Sequence, residues 1–249
     1  MRPAGRGELE SLYFRYPIFE PRAVPELAGR RMRHPVAIVG AGPIGMTAAL
    51  MLARYGVRSV LIEVKRTFND GSRAICIARA SFQILQQIGA VEPFLAKALG
   101  WRRGRSFYRG REVLCFEMAH SEHEKYLPMH NIQQQYIEQY LWEAIARSEL
   151  IDMRWGSEVT GVRQDDDGVA LSVDTAFGSY ALSADYVLAA DGARSAVHDP
   201  DGAVARLFGA EPGTVYLLRP DLHIAGRWKA FASSEVVAQL EAGLGWSAP

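Results

Sequence analysis

Val36-Ala-Ile-Val-Gly-Ala-Gly-Pro-Ile-Gly45 decides the fold of this chain. Val36 to Val39 reads as a buried parallel strand, Gly40, Gly42 and Gly45 as a G-x-G-x-x-G turn, and Met46 to Tyr55 as an apolar helix. A second strand, Ser59 to Val64, carries Glu63, about 20 residues past the turn, where a dinucleotide site needs an acid. Gly40 allows the tight turn, Gly42 lets a pyrophosphate approach the backbone, and Gly45 lets helix and strand pack closely. The helix start offers N–H groups and a positive dipole end to phosphate, with Pro43 and Ile44 inside the same loop. Glu63 would accept hydrogen bonds from ribose hydroxyls and disfavour a 2′-phosphate. A glycine-rich turn can also serve packing alone. The whole strand–turn–helix–strand–acid unit favours nucleotide binding over that alternative.

Composition narrows the function classes. The 249 residues are 49% hydrophobic and 22% charged, with no net formal charge, so a global basic field for nucleic acid is not expected. No apolar run is long enough to span a membrane. Residues 1–33 mix arginines with Glu8, Glu10, Glu20 and Glu26 and lack an apolar core, which argues against a signal or transit peptide. Cys76 and Cys115 make neither a disulfide framework nor a metal spacing, and are expected to be reduced packing residues of a cytoplasmic protein. His120, Glu122, His123 and Glu124 lack the further ligands of a metal site, so no metal is expected. Arg102, Arg103, Arg105, Arg109 and Arg111 suggest a hairpin surface rather than a nucleic-acid face. Trp101, Phe107, Tyr108, Phe116 and Tyr126 suit either a core or an aromatic pocket.

The remaining pattern organises the chain. Four prolines between Pro3 and Pro25 make residues 1–34 an irregular arm. A helix is expected from about Arg79 to Gln87, ended by Gly89. Strands are expected at Arg105–Tyr108 and Glu112–Glu117, and a long helix over Gln133–Ser148 with Ile137, Leu141, Ala144 and Ile145 on one face. Strands at Glu158–Arg163, Val169–Val173 and Tyr180–Ala189 follow, the first two joined by a turn at Asp165–Gly168. The last strand runs into Asp191-Gly192, which places an acid at the carboxyl end of a parallel strand. After Asp199 a hairpin and a helix over Ser233–Leu244 close the chain.

Taken in order, the G-x-G-x-x-G unit, Gly71-Ser-Arg-Ala74, Asn131-Ile-Gln-Gln-Gln-Tyr-Ile-Glu-Gln-Tyr-Leu141 and Asp191-Gly-Ala-Arg-Ser195 resemble FAD-dependent aromatic hydroxylases of the p-hydroxybenzoate hydroxylase fold. The resemblance is strongest to the 3-(3-hydroxyphenyl)propionate hydroxylase-like branch. It implies an α/β fold: a Rossmann-like FAD-binding domain of glutathione-reductase type over 35–198, with a partial substrate β-sheet at about 101–130. A short C-terminal α/β appendage over 199–249 resembles the end of a thioredoxin-like domain. It implies that Gly40, Gly42, Pro43, Ile44, Gly45 and Glu63 hold the ADP half of FAD. Arg73 would contact the flavin's phosphate and ribose region, Gln134 the ribityl–phosphate part, and Asp191 and Gly192 the flavin and the approach of the nicotinamide nucleotide.

The implied activity is hydroxylation of a small phenolic substrate through a flavin C4a-hydroperoxide, with NAD(P)H and dioxygen as co-substrates. Two departures qualify it. No Gly-Asp dipeptide, which in that family holds the ribityl chain, occurs here. The stretch after Gly192 is also too short for the family's full substrate sheet, so the expectation is a member lacking its middle, joined near 198–210, with no catalytic residue assigned. The rival expectations are a catalytically incompetent FAD-binding fragment and an NAD-dependent dehydrogenase. Arg73, Gln134 and Asp191-Gly192 argue against the dehydrogenase.

Overall fold

A computed structural model describes residues 14–69, 76–165, 168–192, 215–218 and 224–228. In chain order, the first elements are β1 (Arg33–Val39), α1 (Pro43–Arg54), β2 (Ser59–Glu63), β3 (Cys76–Ala78), α2 (Arg79–Gln87) and α3 (Val91–Lys97). Next come β4 (Leu99–Trp101), β5 (Arg103–Tyr108), β6 (Arg111–Glu117), β7 (Met129–Asn131) and α4 (Gln134–Ile145). The last are β8 (Ile151–Trp155), β9 (Ser157–Asp165), β10 (Gly168–Thr175), β11 (Gly178–Ala189), β12 (Val215–Leu218) and β13 (Ile224–Trp228).

Six strands form one sheet in the order β8-β2-β1-β11-β10-β9. The first four are parallel, and β9, β10 and β11 are antiparallel. The long β11 joins the two parts: its first half pairs with β10, and Ser183–Ala189 pairs with β1. Alternation across the strands divides the core. Ile38, Leu61 and Met153 face one cluster with Met46 and Leu50 of α1 and Leu141 and Ile145 of α4. Ala37, Val39, Val60 and Ile62 face the other, with Val159, Leu171, Val173 and Leu182. Burial on both faces explains the unbroken apolar runs of β1 and β2.

Helix ends follow local chemistry. α1 starts with Pro at its first position, where a missing N–H costs nothing. It ends with Gly56 left-handed: Gly56 N donates to Ala53 O and Val57 N to Leu52 O, a Schellman closure. α2 ends the same way at Gly89, with Gly89 N on Gln86 O and Ala90 N on Leu85 O.

Several expectations change. Residues 14–34 are not an irregular arm throughout, because Phe14 and Tyr16 are buried, Pro25–Ala28 is a 3-10 turn and β1 opens at Arg33. Phe19 stacks on Trp155 with ring centroids 4.4 Å apart and Phe14 packs edge-on to Tyr136, so aromatic burial holds this segment. β8, unforeseen, takes the outer parallel position. Cys76 and Cys115 are exposed rather than packed. Phe107, Tyr108 and Phe116 are exposed too rather than packed in the core, whereas Tyr126 is buried against Phe82. The basic hairpin is partly offset locally, Arg102 and Arg103 both pairing with Glu117 and Arg105 with Glu112. No helix among the described residues is long and apolar enough to cross a membrane.

The chain divides into two compact units, residues 1–197 and 198–249. In the second, the described part is the antiparallel pair β12 and β13. The helix expected over 233–244 and the tip of the 165–168 turn lie outside the described residues.

Candidate dinucleotide-binding site

Strand order turns at β1, which lies between β2, reached through α1, and β11, reached from β10 much later in the chain. Open α/β sheets bind ligands at such a switch point, beyond the carboxyl ends of the strands. Here those ends are anchored: Gly40 N donates to Ile62 O and Ala190 N to Val39 O, both at 2.7 Å. A cleft of about 440 Å³ opens above them, within the range of small-molecule sites.

The three glycines differ physically. Gly40 has φ +99°, and a Cβ there would lie 2.5 Å from Ala190 O, so both conformation and space demand glycine. A Cβ on Gly45 would run into the Gly40 carbonyl, which is what lets α1 start so close to β1. Gly42 caps α1 with ordinary angles, and a Cβ there meets nothing within 4 Å. It borders the open cleft and leaves room for a ligand to approach the backbone. The first α1 bond to a carbonyl four residues back is Met46 N to Gly42 O, so the preceding first-turn N–H groups lack such partners within the helix.

Glu63 closes the other side of the turn. Its Oε2 accepts the Ala41 N–H at 2.7 Å and its Oε1 the Lys65 N–H at 3.0 Å. Each carboxylate oxygen keeps lone-pair capacity for a ligand hydroxyl, and the acid is fixed in advance.

The cleft also gathers residues distant in sequence. Gln134 lies at the start of α4, and Asp191 and Gly192 follow β11, with Gly192 left-handed at φ +85°. Lys65, Thr67, Asn69, Glu138 and Trp155 line it as well, and sequence reasoning had assigned none of them to the site. Glu138 is 1% exposed, an acid on the apolar face of an amphipathic helix. That misfit was the available signal. Thr67 Oγ1 and Trp155 Nε1 are buried at this cleft with no hydrogen-bond partner, polar atoms a ligand or water could satisfy. Pro43 and Ile44 sit on the cleft lining, while Gly45 acts beneath it. Arg73 lies outside the described residues. Among those described, no group of three or more His, Cys, Asp or Glu could hold a metal.

Comparison with known proteins agrees with this geometry. Residues 33–208 match the FAD binding domain family. The chain is 38% identical over 174 residues to 3-(3-hydroxy-phenyl)propionate/3-hydroxycinnamic acid hydroxylase 2 of Burkholderia vietnamiensis strain G4, a match covering 69% of this chain and 32% of that protein. It thus spans about a third of the length of the curated relatives it matches. Among solved structures, the flavin-dependent monooxygenase PieE, in complex with FAD and substrate, is similar with a TM-score of 0.61 and 27% identity, covering 75% of this chain and 33% of PieE. The p-nitrophenol 4-monooxygenase PnpA of Pseudomonas putida DLL-E4 is similar with a TM-score of 0.59 and 25% identity, covering 66% and 42%. With the glycine-rich turn, its acid and the cleft above them in place, the chain belongs to the FAD binding domain family.

Proposed function

We propose that this cleft holds FAD and serves hydroxylation of a small phenolic substrate, with NAD(P)H as reductant and dioxygen as oxidant, in the cytoplasm. One observation carries the reading: the open Gly42 cradle and the prefixed Glu63 share a cleft with Gln134, Asp191 and Gly192 from distant parts of the chain. A nucleotide monomer would need only the first pair. A ligand extended across the switch point would use both. The exposed, unpaired thiols of Cys76 and Cys115 suit a reducing compartment.

In this reading the pyrophosphate lies over Gly42 and takes the first-turn N–H groups of α1, at the positive end of the helix dipole. Glu63 accepts from the adenosine ribose hydroxyls. Gln134, Asp191, Gly192 and Arg73 serve the half of the cofactor nearer the flavin. Bound flavin supplies electron storage and oxygen activation, and the protein supplies orientation and dryness. Dryness is the requirement under test, because no Gly-Asp dipeptide occurs in these 249 residues. The chain is therefore expected to oxidise NADH to NAD+ while dioxygen is reduced mainly to hydrogen peroxide.

The absorption spectrum of the purified chain tests the cofactor, and Gly42→Val, which puts a branched side chain in the cradle, should abolish flavin retention. Equal flavin in both proteins would refute the placement. The NADH, oxygen and peroxide balance with 3-(3-hydroxyphenyl)propionate then tests coupling, and stoichiometric hydroxylated product with little peroxide would overturn the expectation.

A further inference from the structure

We propose that Glu138 is a positioning residue for the cofactor: its buried carboxylate locks Gln134 and the Lys65–Asn69 segment into the arrangement that receives FAD. The proposal rests on the FAD reading above. Glu138 is among the largest fully buried side chains. Its Oε2 accepts the Asn69 backbone N–H at 2.7 Å. Its Oε1 accepts both Asn69 Nδ2 at 2.5 Å and Gln134 Nε2 at 2.7 Å. Asn69 Oδ1 in turn accepts from the Lys65 ammonium. The donors on the carboxylate are thus neutral amides, and an arrangement that buries a charge against amides is costly unless the geometry is closely met.

What the burial achieves is directional. An ionised carboxylate only accepts, so an amide facing it must present nitrogen. Gln134 and Asn69 therefore have their flip states set by Glu138, and each amide oxygen is turned away from it. The same acid ties the start of α4 to the loop that follows the Glu63 strand. Two walls of the cleft, remote in sequence, are held in register before any ligand arrives. Preorganisation of this kind is expressed as affinity, because the bound state then needs no further ordering.

Glu138→Gln tests this with almost no change in volume. The new amide has one acceptor oxygen where three donors converge, and its own NH2 faces a donor. The apo variant should still fold, with FAD affinity lowered roughly tenfold or more, about one charge-assisted hydrogen bond. FAD titration by fluorescence quenching, with apo thermal melts alongside, measures both. The decisive readout is coupling: in a Gln134→Ala background, Glu138→Gln should cost much less than in the parent. Parent-like affinity in Glu138→Gln, or an equal loss in both backgrounds, overturns the proposal. Should Glu138→Gln fail to fold, Asn69→Ala and Gln134→Ala, singly and together, test the same hub. Non-additive losses support it, and additive ones refute it. A parent that binds no FAD would instead refute the cofactor reading and take this proposal with it, whereas FAD binding by a parent that shows no coupling refutes the proposal alone.

Discussion

Gly42 and Gly45 belong to one motif yet should fail in opposite ways. A methyl on Gly45 would stand 3.1 Å from the Gly40 carbonyl carbon and closer still to its oxygen. That carbonyl cannot easily retreat: its residue is held by the 2.7 Å bond to Ile62 O and is flanked by Ala190. α1 would have to lift instead, loosening Met46, Ala49 and Leu50 from the core. Overpacking a tight site costs about 1–3 kcal/mol, and a backbone obstacle puts Gly45→Ala at the upper end. At about 2–4 °C per kcal/mol for a unit of this size, the apo protein should melt roughly 6–12 °C lower. Gly42→Ala meets nothing within 4 Å and keeps φ −73°, a value alanine adopts readily. Its apo stability should fall by no more than the ~1 kcal/mol of a poorer helix cap, while its methyl occupies the cradle and weakens FAD binding at least tenfold. Circular-dichroism melts and FAD titrations on both variants decide the matter. A parent-like melt for Gly45→Ala, or full FAD affinity for Gly42→Ala, would refute the division of labour.

Two further outcomes follow from features remote from the cleft. Arg154, 2% exposed, donates to Glu26, Asp152 and Tyr180, and Arg154→Met should cost about 3 kcal/mol in urea unfolding by stranding buried acid. Burial opposes the charge of Glu26, but hydrogen bonds from His34 and Arg154 outweigh it and hold its carboxyl below the ordinary range. Its contribution is thus complete above the unfolded value of about 4.3 and fades as pH falls toward the lower folded value. Glu26→Gln should flatten that acid limb, and an unchanged limb would count against the network.

The parts of this fold legible in the sequence are those governed by neighbouring residues. The β1–α1–β2 unit, the Gly89 stop of α2, and the Arg109-Gly110 hairpin turn, both residues left-handed, depend on local angles and on apolar periodicity. β8 was passed over although Ile151-Asp-Met-Arg-Trp155 alternates apolar and polar residues at the period of a half-buried strand, in a run of only 5 residues. Asp152 and Arg154 look solvent-bound until Glu26 and Tyr180 arrive from far along the chain to partner the arginine. Residues 14–34 misled for a related reason. Proline breaks helices but does not prevent aromatic side chains such as Phe14, Tyr16 and Phe19 from docking.

The site divides along the same line. Gly40, Gly42, Gly45 and Glu63 could be chosen because a tight turn, a close approach and a hydroxyl partner each narrow the residue to one or two types. Gln134 and Asp191 required a family pattern, since neither residue is chemically unusual at a helix start or a strand end. Glu138 required neither and was passed over in plain view. It lies between Ile137 and Leu141 on the buried face of α4, where an amphipathic helix should carry another apolar side chain. A charge placed there against its own desolvation cost survives only if folding brings it donors. Here the donors include both amide groups of Asn69 and the side chain of Gln134, all on the cleft. The residue that violates the pattern of its helix is therefore the one that joins that helix to the Asn69 wall of the cleft.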